Sequence, residues 1–258
     1  MNQKIMIGSK LKTSFLKNGY VHLNQFLKTS LLEELRQEVE RYIIEQVPHL
    51  DPGDVFYEDP EKPETLKQLH RMNQDPFFEN YRHHPLWMDT AKLLLDEPVD
   101  PAWGVELFNK PPNTEHETPP HQDNYYFCLE PPNVLTIWVP LDPVDHSNGC
   151  LRYIEGSHLK GLRKHVTSPT LGFSQSISDL DPSDLEKEVN IVAEPGDALI
   201  HYGNTIHRAG PNGTKDRHRR SFAMVFKGVS AQRDHEKFQI YHESSKLQQS
   251  SFGIEVNP

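Results

Sequence analysis

A chain of 258 residues with 35% hydrophobic residues, a formal charge of −10 and only two cysteines can bury a sizeable core without disulfide staples. Its charge has the wrong sign for a phosphate backbone, no apolar run reaches the length of a membrane span, and no signal-peptide-like segment opens it. The expectation is one domain over residues 1–258 in a reducing cytoplasm, serving a small-molecule partner rather than nucleic acid or membrane.

The first hundred residues read mainly as helix. Ser30-Leu31-Leu32-Glu33 has the form of a capping box, in which a hydroxyl satisfies an orphan amide and the acid three residues on reaches back. Leu31, Leu32, Leu35, Val39, Tyr42 and Ile43 then recur at helical spacing, which predicts an amphipathic helix ending near Pro48 and packed on the outside of a sheet. Residues 48–76, Pro-rich and acidic, read as a loop from which His70 and Arg71 could reach a substrate, with a surface position the expectation for both. A second helix is expected over 85–95, with Trp87, Ala91, Leu94 and Leu95 on one face.

From about residue 102 the period changes. Val105 to Phe108 is a short strand, and residues 111–120 form a Pro-punctuated loop that delivers His121. The aromatic run after Asp123 reads as a strand, whose alternation places His121, Asp123 and Tyr125 on one face. Val134 to Leu141 is the clearest strand, apolar on both faces and therefore central. Asn148-Gly149 signals a tight turn, with Cys150 to Ile154 as the return strand. Residues 159–187 are irregular and suited to covering a site opening. Val189 to Ala193 and Ala198 to Tyr202, joined through Pro195-Gly196-Asp197, read as a hairpin, and Arg219 to Phe226 as the last strand. The sum is a mainly β fold with flanking helices. A helical part covers about 1–100, a two-sheet jelly-roll core about 102–228, and a C-terminal extension 229–258.

Within this frame His121 and Asp123 stand together and His207 follows well downstream. Two imidazoles and one carboxylate can take one face of an octahedral ferrous ion, leaving three positions for a chelating cosubstrate and O2. A His-x-Asp triplet alone says little, since His49-Leu50-Asp51 is another; that one runs into Pro52-Gly53-Asp54 and reads as a solvated turn. If strand parity holds, Glu106, Phe108 and Tyr125 face the same cavity and are candidates for substrate contact. His201 is a candidate for supporting the ligands. His83, His84, His146, His158 and His165 are expected at surfaces or turns.

Seven segments, in this order, carry a family resemblance: Asn109-Lys110-Pro111-Pro112, Pro120-His121-Gln122-Asp123, Val134 to Leu141, Asn148-Gly149-Cys150-Leu151, Gly156-Ser157-His158, Pro195-Gly196-Asp197 and His207 to Arg220. The chain resembles the phytanoyl-CoA dioxygenase family of Fe(II)- and 2-oxoglutarate-dependent oxygenases from about residue 102 to 228. The resemblance implies a double-stranded β-helix, cupin-like core with iron held by His121, Asp123 and His207. It also implies an arginine at the start of the last strand for the distal carboxylate of 2-oxoglutarate, with Trp138 beside that cosubstrate. The family's usual spacing falls on His218, one residue short of Arg219. Arg219 is preferred because alternation sets it with small Ser221 and Ala223; Arg217 and Arg220 are its rivals. A hydroxyl common in the family two residues after the distal histidine is replaced by Ala209.

By the same resemblance, Fe(II), 2-oxoglutarate and O2 hydroxylate a small organic substrate and release succinate and CO2, with ascorbate as a possible reductant. Related halogenases lose the carboxylate ligand that Asp123 retains here. Two other readings use the same residues: a silent jelly-roll sensor that binds metal and 2-oxoglutarate, and a zinc hydrolase, for which the sequence offers no clear general base.

Overall fold

A computed structural model describes residues 3–170 and 173–251. Helices α1 (Gln3–Asn18), α2 (Thr29–Glu45), α3 (Pro76–Arg82) and α4 (Pro85–Leu95) occupy the N-terminal part, interleaved with β1 (Tyr20–Leu23), β2 (Val55–Tyr57) and β3 (Leu66–Leu69). Strands β4 (Val99–Lys110) and β5 (Thr118–His121) lead into the one-turn helix α5 (Asp123–Phe127), followed by β6 (Leu129–Glu130), β7 (Val134–Pro140) and β8 (Leu151–Ile154). Next come β9 (His165–Thr167), β10 (Gln175–Ile177), α6 (Pro182–Leu185), β11 (Glu188–Ile191), β12 (Ala198–Tyr202) and β13 (His207–Ala209). The last elements are β14 (Arg219–Gly228), β15 (Gln232–Arg233) and α7 (His235–Ser251). No helix among the described residues is long and apolar enough to cross a membrane.

Every strand pair is antiparallel. A seven-stranded sheet runs β1-β12-β7-β14-β4-β3-β2, and a four-stranded sheet runs β11-β8-β13-β5. Alternation along the large sheet explains its composition. Leu135, Ile137 and Val139 of β7, Val105 and Leu107 of β4, Ile200 of β12, and Phe222, Met224 and Phe226 of β14 pack outward into the main core. Leu32, Leu35, Val39, Trp87, Ala91 and Leu94 of α2 and α4 meet them there. The intervening residues Trp138, Leu199 and Ala223 point between the sheets, where Tyr153, Leu151 and Ala209 meet them. Both faces of β7 are thus covered, and it lies between β12 and β14 as its unbroken apolar run predicts.

Phe222 is fully buried, with Phe78 at 5.6 Å and Tyr81 edge-on at 5.7 Å between ring centroids. Phe222→Ala is expected to cost about 3–5 kcal/mol through lost transfer energy and the cavity left behind. Urea denaturation checks this: the midpoint falls with the slope unchanged.

Several expectations need correction. The capping box at Ser30 does not form. The helix begins at Thr29, with Lys28 as a cap that makes no side-chain hydrogen bond, so Ser30 already lies inside the first turn. Residues 48–76 are not simply loop: β2 and β3 form a hairpin, and β3 joins the large sheet through Gln68 opposite Phe108 and Leu69 opposite Leu107. Strands this short give too few alternations to register in the sequence. Neither predicted hairpin partner returns to its own sheet. After Asn148-Gly149 the chain crosses to β8 in the smaller sheet, and after Pro195-Gly196 it crosses back from β11 to β12. A turn signal fixes a change of direction, and the two-sheet jelly roll uses it to change layers. Gly149 itself is at φ +85, where a Cβ would meet the Gly210 carbonyl at 2.5 Å.

Candidate active site

The antiparallel pairing of β5 with β13 sets His121 directly opposite His207, with ring centroids 4.2 Å apart. His121 Nδ1 donates to the Pro119 carbonyl at 2.8 Å and His207 Nδ1 donates to the Thr205 carbonyl at 3.0 Å. Those bonds fix the tautomers and leave both Nε2 lone pairs pointing inward. Asp123 Oδ1 lies 3.5 Å from each Nε2, and the three donor atoms lie within 4.8 Å of one another. They form the only such group of three histidine, cysteine or carboxylate side chains among the described residues.

Asp123 is held from behind. Its Oδ2 accepts from Thr136 Oγ1 at 2.6 Å and from His201 Nε2 at 3.0 Å, while His201 Nδ1 accepts from the Tyr153 hydroxyl at 3.0 Å. Each nitrogen of His201 therefore has a partner with the ring neutral, and Oδ1 alone is left to face the cavity. Burial opposes the charge on Asp123, but the His207, His121 and His201 imidazoles hold its carboxyl well below the usual carboxylate range. Burial, reinforced by His121 and His201, pushes His207 well below the ordinary imidazole value, which keeps its lone pair free.

The residue between the two N-terminal donors is a clamp. Gln122, fully buried, donates through Nε2 to Gly161 O at 2.9 Å and Asn204 O at 2.7 Å, and accepts at Oε1 from Arg163 N at 2.7 Å. Its backbone N–H donates to His165 Nε2 at 3.1 Å, while His165 Nδ1 donates to Arg163 O. His165 is thus buried, 6% exposed, and not at the surface as expected. Burial pushes it down to about 4. A histidine depressed in the folded state contributes stability that is full above the unfolded value near 6.5 and is lost as pH falls toward 4. Stability is expected to drop by up to about 3 kcal/mol between pH 7 and pH 4 from this group. The slope flattens in His165→Gln, as read by denaturation midpoints across that range.

After Gln122 the chain leaves the strand. Asp123 to Phe127 form a helical turn closed by Asn124, whose side chain exchanges hydrogen bonds with the Leu129 backbone at 3.1 Å. Tyr125 consequently does not share a face with His121. It stacks on His165 at 4.1 Å and is absent from the cavity wall. Tyr126 takes that place, 5.7 Å from His121, with its hydroxyl on Gln175 O at 2.7 Å.

All three donors open into a cavity of about 770 Å³. Trp138, Leu151, Ala223 and Arg219 line its inner end, and Glu106 and Phe108 its side, as parity predicts. Of the three rival arginines, only Arg219 enters. Arg217 pairs with Asp145 at the surface, and Arg220 pairs with Asp142 and Glu40. Arg219 is 4% exposed, with its Cζ 5.6 Å from the Trp138 ring centroid. Its one side-chain hydrogen bond, to Ser221 Oγ, is long at 3.4 Å, and its Nε has no partner. Burial lowers its value to about 10, so it remains charged at neutral pH. Lys110, directly opposite on β4, is also buried and is pushed well down by burial and by Arg219. This end of the cavity is built for an anion.

Sequence reasoning missed much of the outer wall. His70 and Arg71, left open as substrate contacts by the sequence, reach it from just past the end of β3, Arg71 at φ 54 with its guanidinium on Asp54 at 2.6 and 2.7 Å. Phe173 comes from the irregular segment, and Phe238, Tyr241, Ser245 and Gln248 from α7. The helical spacing of those four was the available signal in the C-terminal extension. Trp103 also enters, from a bulge in β4 where it adopts φ 56 and stacks on Phe127 at 4.1 Å.

The family profile described as phytanoyl-CoA dioxygenase (PhyH) matches residues 15–221. The peroxisomal phytanoyl-CoA dioxygenase of Mus musculus is 26% identical over 215 residues, 77% of this chain and 62% of the mouse protein. The chain therefore spans about three-fifths of that relative's length. Among solved structures, EvdO2 from Micromonospora carbonacea var. aurantiaca, complexed with 2-oxoglutarate, superposes with a TM-score of 0.69 at 25% identity, covering 87% of this chain and 91% of that one. The epimerase SnoN, in complex with Fe3+, alpha ketoglutarate and nogalamycin RO, superposes at 0.70 and 22% identity over 88% and 86%. Its likeness is one of fold. Given a profile match across four-fifths of the sequence and a two-sheet antiparallel core shared with those structures, the chain belongs to the phytanoyl-CoA dioxygenase family.

Proposed function

We propose that the protein is an Fe(II)- and 2-oxoglutarate-dependent dioxygenase that hydroxylates a small organic substrate, with His121, Asp123 and His207 as iron ligands and Arg219 as the 2-oxoglutarate anchor. One observation carries the reading: three oriented donors and an unpaired buried guanidinium line the same cavity. The donor set suits Fe(II), since two neutral imidazoles and one ionised carboxylate occupy a single face and leave the cavity side open. Arg219 suits a dicarboxylate, because a buried cation without a counter-ion is costly and a carboxylate supplies the planar partner its fork requires. The Ser221 hydroxyl, which donates to Phe108 O at 3.1 Å, lies 3.4 Å from Arg219 Nη1. Trp138 closes the inner end as a flat wall.

When bound, Fe(II) and 2-oxoglutarate supply the oxidation, in which O2 and 2-oxoglutarate become succinate, CO2 and one oxygen atom delivered to the substrate. The chain's part is to place and to insulate. Thr136 and His201 keep Asp123 ionised and turned, Gln122 locks the strand end that carries His121 and Asp123, and the rings of Phe108, Tyr126 and Phe173 exclude water. We propose further that residues 1–258 act as one catalytic domain, with α7 closing the outer wall. A reducing, cytoplasmic address fits the two cysteines, both free and buried.

The test is succinate release from 2-oxoglutarate by anaerobically purified protein given Fe(II), ascorbate and then O2, with a panel of small metabolites. Iron-dependent succinate is expected, slow alone and faster with a fitting substrate. Tight binding of both ligands without succinate would instead mark a silent sensor, and binding of neither would undo the site.

A further inference from the structure

Glu106 lies in a row of cross-strand neighbours, Leu199, Trp138, Ala223 and Glu106, that crosses the inner face of the large sheet. Its side chain points into the cavity beside the three donors and is 31% exposed there. Among the described residues no hydrogen bond reaches its carboxylate. His70 Nδ1, at 3.9 Å, is too far for one. The other nitrogen of that ring, Nε2, is engaged with Gln68 Oε1 at 3.0 Å. The two outer arginines are occupied elsewhere, Arg71 on Asp54 and Arg233 over the rings of Trp103 and Phe238. Burial pushes the Glu106 carboxyl up from its ordinary value, opposed by His70 and reinforced by the charge of Asp123.

A cavity-lining carboxylate with no hydrogen bond and only a histidine at 3.9 Å beside it is poorly compensated, a cost that a bound cation recovers. The surrounding wall is aromatic: Phe108 on the same strand, Tyr126 and Phe173 toward the donors, Trp103 and Tyr241 toward the mouth. Ring faces carry negative potential and hold cations, most strongly where water is excluded. Away from Glu106 the cavity is lined by the buried guanidinium of Arg219, a site for an anion.

We propose that Glu106 is the substrate-recognition group and that the substrate is a compact organic cation, an ammonium compound seated between Glu106 and the aromatic wall. The inference rests on the cavity being an oxygenase active site. Glu106, on the large sheet, faces across the cavity the donors carried by the small sheet and by α5.

The test uses three probes of one skeleton, 2-phenylethylamine, 2-phenylethanol and phenylacetate. Each is titrated calorimetrically into anaerobic protein loaded with Fe(II) and 2-oxoglutarate. The ammonium probe is expected to bind at least about tenfold tighter than the other two, the scale of a desolvated cation–π contact joined to an ion pair. Glu106→Gln is expected to erase that preference, while Glu106→Asp, which keeps the charge, retains part of it. Equal or tighter binding of the alcohol or the acid, no binding of the ammonium probe, or a preference that survives Glu106→Gln overturns the proposal. Binding of 2-oxoglutarate in the same samples is a separate readout: its absence counts against the oxygenase reading, while the ranking of the probes still judges Glu106.

Discussion

Arg219→Leu is expected to weaken 2-oxoglutarate binding by roughly 100- to 5000-fold while raising the stability of the ligand-free protein. The two effects have one cause. The guanidinium is 4% exposed, its Nε is unsatisfied and no carboxylate among the described residues pairs with it, so in the free protein it is a poorly compensated buried charge. Removing such a charge in favour of an apolar side chain of similar reach stabilises by about 1–4 kcal/mol in comparable cases. With the dicarboxylate bound, the same charge is paired, and deleting one partner of a buried pair costs about 3–5 kcal/mol. Calorimetric titration and denaturation of the ligand-free protein read the two halves. Arg219→Lys should recover only part of the affinity, since an ammonium point charge cannot fork onto a carboxylate. Loss of stability with normal 2-oxoglutarate binding would show Arg219 to be a structural residue.

His207→Ala is expected to abolish stoichiometric Fe(II) binding, with a larger loss than any change to the supporting residues. Removing a partner that only orients a ligand typically costs 10- to 100-fold in metal affinity, and Thr136→Val, which deletes the 2.6 Å bond to Asp123 Oδ2, belongs in that range. His207→Ala removes one of three donors outright and exceeds it. The folded state should survive, because β13 keeps its backbone pairing with β5 and β8. Equilibrium dialysis against Fe(II), with circular dichroism as the control, compares the two variants. Equal losses in both would mean that the donors are not where the metal binds.

What the sequence made legible, and what it hid, follows from range. Val134 to Leu141 and Arg219 to Phe226 could be read because each residue's face is fixed by alternation, and alternation placed Arg219 inward and Arg220 outward before any contact was known. Glu106 and Phe108 followed from the same parity. Tyr125 did not, since aromatic β propensity reflects packing on a sheet that ends at His121, and the Asn124 side chain turns the backbone into a helical turn instead. The layer changes after Gly149 and Gly196 were hidden because a turn residue reports local φ and says nothing of which sheet the next strand joins. The contribution of α7 was hidden for a related reason. Phe238 and Tyr241 line the same cavity as Glu106 and Trp103 only through the folded chain, and the family profile ends at residue 221, before that helix begins.

The measurement that bears most directly on the oxygenase reading is mass spectrometry of succinate formed under isotope-labelled dioxygen by the Fe(II)-loaded protein. The site predicts succinate carrying one labelled oxygen atom, formed only when Fe(II) is present and lost in His121→Ala. Unlabelled succinate, or none from protein that has bound both Fe(II) and 2-oxoglutarate, would contradict it.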